Sequence, residues 1–207
     1  MRRAPAGRDA FVEGMRRLGV DVSRETLTRL GDFVALLERW QSAINYDGSG
    51  PVVDFTGRPY PSAGSAYPLE LYLVVGQCTG LARGFYHYDA GAHALTPIPV
   101  PEEPLQAMLF AAEFAMDAPG PPQVLITIAA RFGRISWKYS SIAYSLILKD
   151  VGALLQTFYL MATAMGLGGC AIGTHNIALF EQMTGLAFHV EGPVGQFALG
   201  RPAKPAG

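Results

Sequence analysis

A mostly apolar run from Gln123 to Arg131 limits the folds open to this chain more than any other segment. The run is rich in β-branched residues and lacks the strict alternation of a half-exposed strand. Such a composition is typical of a strand that is buried on both faces. We therefore expect a central strand here, with other strands beside it.

The flanking sequence supplies those strands and several helices. Strand-like patterns with turn residues between them predict the extended segments Leu69–Gly76, Gly84–Asp89, Ala94–Ile98, Gly169–Gly173 and Gly195–Gly200. Helical patterns cover Pro101–Phe114, Ser140–Met165 and Ile177–Thr184. Gly152 lies inside the longest helix at a cost of ~1 kcal/mol relative to Ala, which predicts close packing against a flat surface. Strands and helices without strict βαβ alternation indicate the α+β class.

The N-terminal part of the chain has a different sequence pattern. Residues 8–44 carry a helical apolar stripe, with Ser23 as a plausible N-cap between two amphipathic helices. The turn-rich stretch 45–51 is the best linker candidate. We therefore divide the chain into an N-terminal helical segment with its linker, residues 1–50, and a second domain, residues 51–207.

Composition excludes several classes of protein. Half of the 207 residues are apolar and 16% are charged, which excludes a disordered chain or a coiled coil. The net charge of -1 gives no general attraction to nucleic acid or to an anionic membrane. Apolar runs such as Val124–Ala130 are too short to span a bilayer. No secretory signal or metal-ligand spacing is present, so we expect a cytoplasmic protein whose Cys78 and Cys170 are buried thiols.

The segment Pro61-Ser-Ala-Gly-Ser65 carries the first chemical signal. Its small residues predict a tight turn with exposed amides and hydroxyls, which suits a phosphate or a ribityl chain. By itself, such a turn is more often an ordinary loop. Three further motifs follow along the chain: Gly84–Asp89, Trp137–Tyr144 continuing to Asp150–Gln156, and Gly166–Thr174.

In this order, the four motifs resemble the SagB-type dehydrogenases of the nitroreductase superfamily over residues 58–201. The resemblance implies a nitroreductase-like fold, in which helices flank a central, mostly antiparallel sheet. It implies FMN as the cofactor, held between two subunits of a homodimer. It also implies oxidation of a peptide thiazoline or oxazoline to the azole, with a modified peptide and cyclodehydratase proteins as partners.

The resemblance assigns roles to particular residues. Lys138 and Tyr139 match the pair that removes a proton as hydride leaves for the flavin. A desolvated lysine beside a tyrosine suits this task, since desolvation lowers its pKa toward the working pH. The alternative for Lys138 is a solvated lysine at a helix start. The cofactor-binding candidates are Pro61, Ser62, Ala63, Gly64, Ser65, Gln156, Ile172, Gly173 and Arg201.

The histidines do not form a metal-site pattern. His87 and His93 lie in the predicted hairpin without a carboxylate or cysteine at ligand spacing, so we expect surface or hairpin-stabilising roles. His175 follows the flavin-facing segment, where we expect a capping or polar contact.

The sequence also departs from the family's pattern. The arginine-rich N-terminal motif that grips the FMN phosphate is missing, unless Arg16 or Arg17 replaces it. Residues 11–45 instead resemble the N-terminal helical segment of RsmG-like rRNA methyltransferases, but no Gly-rich S-adenosylmethionine site follows. Ser145 stands where the family often has an arginine.

Three functions therefore remain open at the level of sequence. The first is FMN-dependent azoline oxidation, and the second is NAD(P)H-dependent reduction of nitro compounds or quinones. The third is a flavin-free subunit that binds a peptide or a biosynthetic partner, since the loss of two or three phosphate-binding arginines would cost ~1.5–3 kcal/mol for each charged hydrogen bond.

Overall fold

The computed structural model describes residues 58–201. The sequence predictions that fall on residues 1–57 and 202–207 lie outside this part of the chain. They include the N-terminal helical segment, the linker, and the phosphate-binding candidates Arg16 and Arg17.

Six strands and four helices make up the described residues. The strands are β1 Leu69–Val75, β2 Gly84–Asp89, β3 Ala94–Ile98, β4 Val124–Ala130, β5 Gly168–Ile172 and β6 Gly192–Gly200. The helices are α1 Glu102–Ala115, α2 Gly133–Ser136, α3 Ala143–Ala164 and α4 Ile177–Thr184, and a 3-10 turn covers Ala63–Ser65. The predicted elements are therefore confirmed with small shifts at their ends.

The strands form one antiparallel sheet in the order β3-β2-β1-β4-β6-β5. As predicted, β4 is a central strand, since it pairs with β1 on one side and β6 on the other. The protein thus has the α+β, nitroreductase-like fold.

Helices cover both faces of the sheet. Leu125 of β4 belongs to a core that includes Met108 of α1 and Phe180 of α4. Ile128 of the same strand belongs to a second core with Ile147 of α3. Burial on both faces explains why β4 is continuously apolar, because each fully buried Leu or Ile contributes ~1.5–3 kcal/mol.

The last strand begins earlier than its sequence indicates. β6 starts at Gly192 rather than Gly195, although Pro193 cannot donate to a ladder. The pairing of β4 with β6 has a register shift between Ile128 and Ala129, and Pro193 lies opposite Ala129. The irregularity accommodates the proline, and β6 extends past it.

Two packing predictions are wrong for the single chain. Gly152 is exposed, and a Cβ atom there would have no neighbour within 4 Å, so no flat surface formed by residues 58–201 packs against it. Cys78 is exposed and Cys170 is half-buried, so the two thiols are not core residues. Both are free, as expected.

Helix α3 is long and apolar enough to cross a membrane by length and composition alone. The expectation that no apolar segment reaches this length is therefore corrected. Only 28% of its most apolar window is buried inside the protein. The helix nevertheless packs on β5 and β6 and carries the buried Asp150, as a core helix of a globular domain does.

Candidate active site

The Pro-Ser-Ala-Gly-Ser segment folds into the predicted tight turn. Gly64 has a φ of 59°, which suits glycine, and Ser65 follows with a φ of 54°. Tyr67 also has a positive φ, 44°. Left-handed conformations at non-glycine residues cost on the order of 1–2 kcal/mol each, so the surrounding structure must hold this turn in place.

A buried carboxylate in α3 holds it. The Ser62 hydroxyl donates to Asp150 Oδ2 at 2.6 Å, and the Ala63 N–H donates to Oδ1 at 3.1 Å. Ser62 Oγ also accepts from the Tyr67 N–H at 2.9 Å. Asp150 is only 4% exposed, and this burial raises the pKa of its carboxyl group. The turn is thereby fixed to the helix beneath it.

Lys138 and Tyr139 lie directly against this turn. They follow α2, whose Ile135 is completely buried and accepts a hydrogen bond from the Tyr139 N–H at 3.0 Å. A Cβ atom on Gly64 would lie 2.7 Å from Tyr139 Oη and 3.3 Å from Lys138 Nζ. The Lys138 ammonium lies 5.4 Å from the centre of the Tyr139 ring, within cation–π range. The structure therefore brings the two catalytic candidates together with Gly64.

These residues border an open cavity of about 520 Å³. Its lining consists of Gly64, Ser65, Ala66, Gly133, Arg134, Ile135, Trp137, Lys138 and Tyr139. Of these described residues, two are cationic and none carries a carboxylate. Trp137 is 78% exposed and stands at the rim, where its indole N–H donates to the Arg134 carbonyl. The volume is large enough for a ring-shaped ligand, and the side chains of Arg134 and Lys138 in the lining can donate hydrogen bonds to it.

Sequence reasoning missed the charged cluster behind this wall. Glu70 of β1 is 5% exposed and pairs with Arg134 at 2.5 Å and with His87 at 3.0 Å. Arg131 and Arg58 lie 3.5 Å and 3.6 Å from the same carboxylate. Burial by itself raises the pKa of Glu70, but its histidine and arginine partners together hold it below its usual value.

The only signal in the sequence was an acidic residue inside an otherwise apolar strand. Glu191 extends the cluster, since it accepts from the Tyr72 hydroxyl at 2.6 Å and pairs with Arg131. Burial, together with Glu191, raises the pKa of Tyr72 well above its usual value. The network fixes Arg134 in the cavity wall, because its other end is anchored in the sheet.

A second set of predicted residues lies apart from this cavity. Ile172 is buried at the end of β5, whereas Gly173 is exposed and would have no neighbour within 4 Å of a Cβ atom. His175 Nδ1 is buried and has no hydrogen-bond partner among the described residues. Burial lowers the pKa of His175. An unsatisfied buried nitrogen beside an open glycine backbone is suited to a bound group.

The remaining candidates do not line the cavity either. Gln156 is exposed on α3, one helical turn from Gly152. Arg201 follows the far end of β6, where its N–H donates to Gln123 Oε1. The single chain thus separates the predicted cofactor residues into a set around Gly64 and a set outside this cavity.

The hairpin histidines have different partners. His93 Nδ1 lies 2.6 Å from the Tyr88 hydroxyl, which confirms a hairpin-stabilising contact. His87 instead pairs with Glu70 across the sheet. Within residues 58–201, no group of three or more potential metal ligands occurs.

Comparison with known protein families agrees with the family that the fold indicates. The sequence model of the Nitroreductase family matches residues 21–201. The chain belongs to the nitroreductase family. Members of this family are generally flavin oxidoreductases. The match also corrects one resemblance, because it begins inside residues 11–45 and leaves the RsmG-like assignment without support.

Individual relatives agree with this assignment. The chain is 37% identical over 113 residues to a Methanocaldococcus jannaschii protein named as a nitroreductase, MJ1384, covering 55% of this chain and 56% of that protein. It is 27% identical over 143 residues to the trifolitoxin-processing protein TfxB of Rhizobium leguminosarum, covering 66% of this chain and 38% of TfxB. This chain therefore spans about half or less of the length of these relatives.

A solved structure shares the fold. A chain of the Escherichia coli microcin synthetase McbBCD complex superposes with a TM-score of 0.61 at 21% identity, covering 77% of this chain and 60% of the other. Truncated pro-MccB17 is bound in that complex. At this identity the likeness supports the architecture and nothing further.

Proposed function

We propose that this chain forms the flavin domain of an FMN-dependent oxidoreductase that oxidises a peptide azoline to an azole. One observation carries the proposal. The Lys138 ammonium and the Tyr139 hydroxyl converge on the Gly64 turn at the edge of an open cavity. A basic group and a hydroxyl held together beside a ring-sized space suit proton removal from a bound heterocycle.

The residues present fit a flavin. Gly64 and Ser65 offer exposed backbone in a turn that a side chain would obstruct. Gly173 leaves the end of β5 open, and the unpartnered His175 Nδ1 beside it can hydrogen-bond a polar ring atom. FMN, when bound, supplies the acceptor for a hydride.

The chain's own residues account for the rest of the reaction. Conversion of the azoline to the azole removes one hydride, for which a bound FMN would be the acceptor, and one proton, which Lys138 Nζ takes. Lys138 must be neutral to accept it, yet its side chain is exposed in the single chain. Cofactor, substrate and a second subunit therefore have to desolvate it. Tyr139, whose hydroxyl lies on the same side of Gly64, orients the amine and the substrate.

The peptide substrate is inferred from a relative. TfxB is named for processing of the peptide trifolitoxin, and it matches this chain over 143 residues. The cavity is open to solvent at the exposed Trp137, so a ring within a longer peptide can enter it. A modified peptide is therefore the proposed substrate, and the resemblance to SagB-type dehydrogenases adds cyclodehydratase proteins to the proposed partners.

We also propose a homodimer. Leu148, Gly152, Gln156 and Leu160 form one exposed i, i+4 ridge along α3. Its two exposed leucines, Leu148 and Leu160, are suited to burial against a second subunit. Packing there would give Gly152 the flat neighbour that the single chain lacks. It would also let the two separated sets of cofactor residues meet, each from a different subunit.

The test uses the FMN-loaded protein and a peptide that carries a synthetic thiazoline. We expect Lys138→Ala to lower kcat by about 10²–10⁴-fold, the usual contribution of a positioned base. The control is Glu103→Ala, which removes an exposed charge from α1 on the opposite face of the sheet. Normal azoline turnover by the Lys138→Ala protein would refute the assignment.

A reductase of nitro compounds or quinones is the second candidate, favoured by the 37% identity to a protein named as a nitroreductase. Such an enzyme would oxidise NAD(P)H when a nitroaromatic compound is supplied. It would not need Lys138 as a base. The azoline oxidase should instead pass its electrons to oxygen and leave NAD(P)H unchanged.

A further inference from the structure

Asp150 occupies an unusual position for a carboxylate. It lies in the middle of α3, is 4% exposed, and belongs to a helix whose neighbouring buried residues are Ile147, Val151 and Leu154. No lysine, arginine or histidine among residues 58–201 forms an ion pair with it. Burying a charge without a cation is costly unless hydrogen bonds satisfy it. Hydrogen bonds to the Asp150 carboxylate must therefore offset the cost of burying it.

Within the described part of the chain, all hydrogen bonds of the Asp150 carboxylate go to one turn. Asp150 accepts from the Ser62 hydroxyl and from the Ala63 N–H, and these bonds span 88 and 87 positions of sequence. The Ser62 oxygen in turn accepts from the Tyr67 N–H. A serine hydroxyl has one proton, and here that proton is committed to Asp150. Ser62 therefore organises the turn rather than donating a hydrogen bond to a cofactor.

Because the turn is fixed to Asp150, it also restricts the positions of Lys138 and Tyr139, which lie against it. Gly64 lies two residues after Ser62, and a Cβ atom there would lie 2.7 Å from Tyr139 Oη and 3.3 Å from Lys138 Nζ, so the turn backbone runs close beside both side chains. We propose that Asp150 is a positioning residue, which fixes Lys138 and Tyr139 through Ser62 and the Gly64 turn. Only the catalytic consequence rests on the function proposed above. The placement of the turn can be measured without any substrate.

The first experiment follows amide hydrogen exchange by mass spectrometry in the full-length protein. Asp150→Asn keeps the size of the side chain but replaces one acceptor oxygen with an N–H donor, so the side chain can no longer accept from both the Ser62 hydroxyl and the Ala63 N–H. Ser62→Ala removes the hydroxyl, whereas Ser62→Thr retains one. We expect exchange in the Ala63 to Tyr67 segment to accelerate by about 10-fold or more in Asp150→Asn and Ser62→Ala, with β4 unchanged. Ser62→Thr and the exposed control Asp117→Asn should match the parent protein.

The second experiment measures turnover of a thiazoline peptide by the same variants. A displaced catalytic pair should lower kcat by about 10²-fold in Asp150→Asn and Ser62→Ala. The double variant should be no slower than either single variant, because both act through one bond. Ser62→Thr should restore turnover.

Three outcomes would overturn the proposal. They are unchanged exchange in the turn, accelerated exchange spread equally over β4 and α3, and additive losses in the double variant. Failure of the proposed function has a different signature. In that case the turn would loosen as expected, while the parent protein would not oxidise the thiazoline peptide.

Discussion

At Gly64, the backbone of the turn approaches two side chains more closely than any larger residue would permit. The sequence motif correctly located a tight turn at Ser62, Gly64 and Ser65, because consecutive small residues such as Gly and Ser favour turns. The motif could not show what the turn touches. Tyr139 and Asp150 lie far along the chain, and such contacts leave no local pattern in the sequence.

Replacing Gly64 tests the importance of this close approach. In Gly64→Ala, the new Cβ would lie 2.7 Å from Tyr139 Oη at a φ of 59°, so both the turn and the tyrosine must shift. We expect a loss of about 10²-fold in kcat for azoline oxidation, with a cost of about 1–2 kcal/mol in stability. Gly120→Ala is the matched control, because a Cβ there meets nothing within 4 Å. Equal activity of the two variants would show that the contact with Gly64 is dispensable.

At the scale of elements, local patterns predicted the strands and helices well. Hairpin β2–β3 and helix α4 have the predicted bounds, since turn residues mark their ends. The start of β6 was missed because Pro193 argues locally against a strand. Pairing with β4 overrides that preference, and such pairing is not local. For the same reason, the cluster around Glu70 could not be assembled from sequence, because its members come from different elements.

That cluster should make stability depend on pH. The folded-state pKa of Glu70 is lowered, so its contribution is present above the ordinary glutamate value, about 4.3, and is lost as pH falls through the folded-state pKa. We expect Glu70→Gln to cost about 2–3 kcal/mol at neutral pH, below the range for fully buried pairs because the arginines are partly exposed. The loss relative to the parent protein should shrink in acid. This loss can be measured from the melting temperatures of the parent and Glu70→Gln proteins at neutral and acid pH. Glu103→Gln serves as the exposed control. A difference that stays constant with pH would contradict this account.

Packing of β5 against β6 depends on a second glycine. A Cβ at Gly169 would lie 2.5 Å from Cζ of the completely buried Phe197. We expect Gly169→Ala to destabilise the fold by about 1–3 kcal/mol, since a dense core cannot absorb an added methyl group. Denaturant unfolding compared with Gly120→Ala would measure the loss. Equal midpoints for the two variants would show that Phe197 moves aside without cost.

At the scale of the whole molecule, one chain separates the candidate flavin-binding residues into two sets. The sequence resemblance correctly predicted the nitroreductase-like fold, but which candidates share a cavity depends on tertiary contacts. Lys138 and Tyr139 join Gly64, whereas Gly173 and Arg201 do not line that cavity. A second subunit would reconcile the motifs with this separation.

The dimer can be tested on the exposed ridge of α3. Leu148→Glu places a charge where the proposed second subunit packs, and burying an unpaired charge is costly. We expect a monomer that no longer retains FMN after desalting. Phe110→Glu, a similar change at an exposed position of α1, should leave the mass in solution and the bound flavin unchanged. Light scattering combined with size-exclusion chromatography would give the mass in solution, and the flavin absorbance of the eluted protein would give the bound FMN. A Leu148→Glu dimer with bound FMN would refute the proposed interface.

The most direct test of the whole account is the visible absorption spectrum of purified protein that has been loaded with FMN and desalted. It should be recorded without oxygen, before and after addition of a thiazoline peptide. We predict that the flavin bands are retained on desalting, fade when the peptide is added and return when oxygen is admitted. A protein that releases all of its FMN would contradict the account and favour a flavin-free binding subunit. A flavin that stays oxidised with the peptide but fades with NAD(P)H would favour the reductase.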